Sequence, residues 1–86
     1  MKPVVFTHHA RQRMRERLVS EAEVRETLNR PDHRAQARHG AWKAVRTFPF
    51  NAQHRGSFYR QKQVEVRYLD EPDRQVVLTV ISRFIR

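Results

Sequence analysis

The run Val76–Ile85, VVLTVISRFI, is nearly all apolar and largely β-branched, in a chain of which 31% is charged. It is too short to span a bilayer and has the composition of a strand covered, at least in part, on both faces. Alternation along it puts Val76, Leu78, Val80, Ser82 and Phe84 on the more apolar face, predicted to meet helices. Val77, Thr79, Ile81 and Arg83 fall on the opposite, open face. A chain of 86 residues has room for one small core, so the other elements must assemble around this strand as a single domain over residues 1–86.

Those elements are punctuated clearly. Residues 3–6 read as a short first strand or an extended lead-in. Thr7 is a plausible N-cap for a helix running to about Arg17, with Ala10, Met14 and Leu18 as its buried stripe. Ser20-Glu21-Ala22-Glu23 has the form of a capping box, so a second helix starts at Glu21, turns Val24 and Leu28 inward, and ends before Pro31. His39-Gly40 marks a turn. Ala41–Phe48 alternates as a strand that Pro49 should limit, and Asn51–Ser57 reads as a loop. Phe58–Leu69 is the cleanest strand, with Val64, Val66 and Tyr68 on one face and Glu65 and Arg67 on the other; Asp70–Asp73 is a turn. The predicted architecture is α+β: two N-terminal helices packed on one face of a three- to four-stranded antiparallel sheet.

Charge narrows the function. Eighteen basic residues against nine acidic give +9, and only Lys2, Lys43 and Lys62 are lysine. A GC-rich genome raises arginine over lysine without any function, but it explains the net excess less easily. Arginine's planar fork matches phosphate, and a domain this basic points to a polyanion, first of all nucleic acid. Between Arg30 and Lys62 the cations Arg34, Arg38, Lys43, Arg46, Arg55 and Arg60 face one acid, Asp32, and aromatics are interleaved. Cations with exposed rings suit single-stranded RNA; in so short a chain at least half of the rings must instead fill the core. There is no cysteine, no His-Glu-x-x-His pattern, no acidic cluster and no glycine-rich phosphate loop. Neither a metal nor an organic cofactor is expected, and the sequence points to a cytoplasmic protein without a membrane segment.

The first helix concentrates the chemistry. His9, Arg13 and Arg17 repeat at four-residue spacing, one position ahead of Ala10, Met14 and Leu18. One residue is about 100° of helix rotation, so this cationic stripe is predicted at the edge of the helix–sheet seam, with Arg11 and Arg15 solvated elsewhere. A first-turn histidine is more often an ordinary polar residue than a catalyst, and a strand threonine is ordinary β chemistry.

The pattern T-x-H-A-x-x-R-M-x-x-R-x-x-S-x-x-x-V, here Thr7, His9, Ala10, Arg13, Met14, Arg17, Ser20 and Val24, resembles a bacterial domain family labelled as of unknown function. So does a late strand like VVLTVIS. The likeness covers residues 7–31 well and 58–82 moderately, and departs where the family often has Arg-Gly-Ile-Ser and this chain has Arg17-Leu18-Val19-Ser20. That family is usually grouped with the barnase–EndoU–colicin–RelE superfamily of metal-independent ribonuclease toxins. The resemblance implies a site of a helix-1 histidine, basic residues and a late-strand hydroxyl: His9, Arg13 and Thr79 as catalytic candidates. Arg17, Arg46, Arg60, Lys62, Arg67 and Arg83 are the candidates for contacting nucleic acid. It also implies RNA as substrate, cleaved by its own 2′-OH, and an acidic antitoxin as protein partner of a monomer or homodimer. Glu65, His54 and Tyr59 are the candidates for a second proton-transfer group. A non-catalytic RNA- or DNA-binding module and a protein-interaction domain are the competing readings.

Overall fold

The computed structural model describes residues 2–86. Two helices pack on one face of a five-stranded sheet. In chain order the elements are β1 (Val4–Phe6), α1 (His8–Glu16), α2 (Glu21–Asn29), β2 (His33–Gln36), β3 (Trp42–His54), β4 (Ser57–Asp70) and β5 (Gln75–Ile85). Strand order is β1-β5-β4-β3-β2. The sheet is therefore mixed rather than a three- to four-stranded antiparallel one. β1 docks parallel to β5, pairing Phe6 with Val77, and β2 adds an antiparallel edge to β3. Both edge strands are too short to show an alternation of their own.

Local signals fix the helices. The Thr7 hydroxyl accepts from the Ala10 N–H at 3.0 Å, and Ser20 and Glu23 form both bonds of a capping box. α1 ends differently from expectation. Leu18 takes a left-handed conformation (φ 56), and the Val19 N–H reaches back to the Met14 carbonyl at 2.9 Å. This is a Schellman closure with leucine where glycine is usual. Leu18 is consequently turned outward, 56% exposed, and Val19 is buried in its place.

The core comprises Ala10, Met14, Val19, Val24, Ala44, Val64, Val66, Tyr68, Val77 and Val80. An irregularity in the β4–β5 pairing, where Arg67 faces Thr79 but Tyr68 faces Val77, leaves Leu78 as an extra residue. The bulge switches the alternation, so Val77, expected on the open face, is fully buried under the helices. Thr79, Ile81 and Arg83 keep the open side, where they pair with Arg67, Glu65 and Gln63.

Pro49 does not stop β3, and residues 51–57 are not a loop. β2 pairs only with Trp42–Val45, so further along β3 the outer side of the strand is an edge, where a missing N–H costs nothing. The strand continues to His54 and returns through Arg55 and Gly56, both at positive φ (52 and 82). That is a two-residue hairpin turn of the mirror-image kind that matches strand twist.

Candidate functional site

α1 lies along the free edge of β5. At its start the Thr7 N–H donates to the Val77 carbonyl at 3.1 Å and the Thr7 hydroxyl to that of Leu78 at 3.3 Å. At its end Arg17 donates to the Val80 carbonyl at 2.6 Å, and the Ser82 hydroxyl to the Arg17 carbonyl at 3.0 Å. The ten helical steps from Thr7 to Arg17 cover about 15 Å and the five strand steps from Val77 to Ser82 about 16 Å. The two elements therefore run side by side, in the same direction, beyond the point where β1 stops.

This docking orients the helix. Ala10 and Met14 enter the core. Arg11 turns toward α2, paired with Glu21 at 2.7 Å and lying over the Phe6 ring, which Arg25 also approaches. The opposite flank carries His9, Arg13 and Arg17 along the β5 edge. His9 is exposed; its Nε2 accepts from the Arg13 Nε at 3.5 Å, and Arg13 also holds Glu16 at 2.9 Å. Thr79 lies between two of the three β5 carbonyls that anchor α1, those of Leu78 and Val80. The α1–β5 rim thus carries imidazole and guanidinium groups on its helix, while the Thr79 side chain belongs to the open face of the strand.

Around that rim the open sheet face carries a second cationic group. Arg67 donates to Glu65 at 3.1 Å, and Arg83 approaches the other carboxylate oxygen at 3.6 Å and Gln63 at 3.3 Å. Glu65, though no helix covers it, keeps only 6% of its side chain exposed, against 43% for Arg67 and 59% for Arg83. Lys43 pairs with Arg67 across the sheet. The carboxylate holds two guanidinium groups in place, and both retain donors facing water.

Two other candidates, Lys62 and Arg46, belong to the framework. Lys62 is buried between the sheet and the helices, its Nζ donating to the Leu18 carbonyl and to Glu23 at 2.9 Å; it is corrected here from a nucleic-acid contact to the clamp that ties the helical turn to β4. Arg46 donates to the Arg30 carbonyl at 2.6 Å and lies near Glu26 and Asp32, and so joins the end of α2 to β3. Arg60 is exposed on the β3–β4 hairpin, beside Arg86, Thr47 and Pro49. Trp42 and Phe48 pack against the core, Trp42 beneath the Arg34 guanidinium at 4.3 Å.

Beyond the last anchor of α1 there is a cleft of about 220 Å³ lined by Glu16, Arg17, His54, Arg55, Ser82 and Phe84. The sequence does not disclose this cleft, because residues 51–57, which form the hairpin that supplies His54 and Arg55, have the composition of a loop. The imidazole of His54 stacks on the Phe84 ring, centroids 4.0 Å apart.

Among the described residues no group of three or more His, Asp or Glu is placed to hold a metal ion, and no helix is long and apolar enough to cross a membrane. The model of one protein family, described as a domain of unknown function (DUF4258), matches residues 6–82. No curated protein and no solved structure matches the chain.

Proposed function

Since the chain belongs to the DUF4258 family, which carries no assigned activity, we propose from its own geometry that it is a metal-independent endoribonuclease acting at the α1–β5 rim. One observation supports the reading: α1 is tied to the free edge of β5 by Thr7 and Arg17, with His9 and Arg13 on the helix between those ties, while Thr79 and the Arg67–Glu65–Arg83 group stand on the open face of the strands behind that edge. In a chain of charge +9, that edge suits a sugar–phosphate backbone laid between helix and sheet.

The chemistry uses only groups of the chain and of RNA. His9 takes the proton from a ribose 2′-OH. The 2′-oxygen attacks the adjacent phosphorus, and the bond to the 5′-oxygen breaks. That oxygen takes its proton from solvent, to which the rim is open. The products are a 2′,3′-cyclic phosphate and a 5′-OH. Arg13 and Arg67 neutralise charge on the phosphorane oxygens, and Thr79 donates its hydroxyl to one of them. An acidic antitoxin would cover the same rim.

A non-catalytic RNA-binding role is the second reading. It is favoured by the surroundings of His9, whose hydrogen-bonding partner is a guanidinium: Glu65 is tied between two arginines and His54 belongs to the cleft beyond α1. The two readings separate on a single-stranded RNA incubated in EDTA beside the same sequence carrying one 2′-deoxyribose. Cleavage everywhere except 3′ of the deoxy position, leaving cyclic phosphate ends, is expected of the ribonuclease. Salt-sensitive binding of both strands without cleavage would leave the binding role.

A further inference from the structure

The β3–β4 hairpin extends past both helices. The Ser82–Arg17 bond is the last tie between α1 and the sheet, yet β5 continues to Ile85 and the hairpin turns only at Arg55-Gly56. The facing of β4 changes here: Lys62 is buried, Gln61 and Arg60 are both exposed, and Tyr59 turns back inward. The change gathers three rings about Phe84. Phe50 meets it edge-on at 5.0 Å, Tyr59 at 5.6 Å, and His54 stacks on it at 4.0 Å with an interplanar angle of 18°. All four are half-buried. With no helix above them, they are more than this small core needs.

Cations surround the rings. Arg55 is exposed at the turn, Arg86 lies over the Tyr59 ring at 5.7 Å, and Arg17 lines the cleft together with Glu16. A flat aromatic wall within a cleft of about 220 Å³, flanked by guanidinium groups, combines the two things an unstacked nucleotide requires: a π face for the base and positive charge for its phosphates.

We propose that this cleft is a base-binding subsite, in which one unpaired base of single-stranded RNA stacks against the His54–Phe84 wall while its phosphates are held by Arg55 and Arg17. The inference rests on the ribonuclease reading for its substrate and extends it. Arg17 belongs both to the cleft and to the His9–Arg13 stripe, and eight helical steps lead from His9 to Arg17, about 12 Å. A strand laid along α1 thus reaches the rim and the cleft together. A base-paired strand cannot, because its bases remain stacked on their neighbours. The substrate class is RNA that is single-stranded beside the cleaved bond.

The test uses a 2′-O-methyl strand of about ten nucleotides, which resists 2′-OH attack, beside a strand of equal length and charge whose sugars are abasic. For the wild-type protein the abasic strand should bind about 5- to 100-fold more weakly. H54A should lose a similar factor for the intact strand and nothing for the abasic one. A 2-aminopurine placed in the intact strand should lose fluorescence on binding. Equal affinity of the wild type for the two strands overturns the subsite and leaves the ribonuclease reading standing. No salt-sensitive affinity for either strand overturns that reading as well. Displacement of the intact strand by polyglutamate, with no difference between intact and abasic RNA, would assign the cleft to an acidic polypeptide instead.

Discussion

Replacing Lys62 by methionine separates a structural cation from a nucleic-acid contact. Lys62 keeps 6% of its side chain exposed, and its Nζ stands 2.9 Å from Glu23 while donating to the Leu18 carbonyl. Removing one partner of a buried pair costs about 3–5 kcal/mol, mostly because the other charge is stranded. Glu23 is less stranded than that. It is 24% exposed and still accepts from the Ser20 N–H at 3.0 Å and the Ser20 hydroxyl at 3.3 Å, which lowers the expected loss to about 2–3 kcal/mol. Against a total of about 5–15 kcal/mol this is a large fraction, and it corresponds to a melting temperature lower by about 10–20 °C. Thermal denaturation followed by circular dichroism reads the loss directly. The double variant Lys62→Met with Glu23→Gln should regain at least half of it, since no full charge is then left without its partner. RNA affinity of the folded variant, measured well below its melting point, should match the wild type. A melting temperature within about 2 °C of wild type together with weaker RNA binding would refute the buried-clamp reasoning.

Two further outcomes follow from the same structure. Leu18→Gly should stabilise the chain by about 0.5–1 kcal/mol, because glycine adopts the left-handed cap without a Cβ penalty and a side chain 56% exposed gives up little packing; a lower melting temperature would mean that Leu18 contributes packing after all. Lys2, hydrogen-bonded at 2.7 Å, is the main cause holding the Asp70 carboxyl below its ordinary value of 3.8, with Arg34 adding to it. A depressed folded-state value contributes stability above the unfolded value and loses it as pH falls through the folded one. The melting-temperature gap between wild type and Asp70→Asn should therefore be open at neutral pH and narrow progressively as pH falls below 3.8, and a gap that does not narrow over that range would contradict the assignment.

What the sequence disclosed was short-ranged. The Thr7 cap and the Ser20–Glu23 capping box were legible because each is settled within four residues. The stripe of His9, Arg13 and Arg17 was legible because helical rotation is regular, and Thr79, Glu65 and Arg67 because strand alternation holds across most of β4 and β5. The features not foreseen depend on partners distant in the chain or on single backbone departures. Lys62 is a buried clamp only because β4 passes beneath a turn 44 residues earlier. Val77 changed faces because Leu78 bulges. Leu18 left the core because it closes a helix in a conformation that leucine rarely adopts. The cleft at His54 is not legible because Pro49 signals the end of a strand whose outer edge in fact needs no N–H. The candidate site was thus visible as a list of residue types, while its division into rim, open face, cleft and framework required the fold.

The most direct measurement of the central claim is the initial rate of RNA cleavage in EDTA for wild type, His9→Ala and Arg13→Ala, with a thermal melt of each protein. Both variants should lose about 100-fold or more while melting within a few degrees of wild type, since His9 is exposed and the Arg13 side chain is 37% exposed, in a surface ion pair. Cleavage by either variant at the wild-type rate, or no cleavage by the wild type itself, would contradict the assignment of the α1–β5 rim as a ribonuclease site.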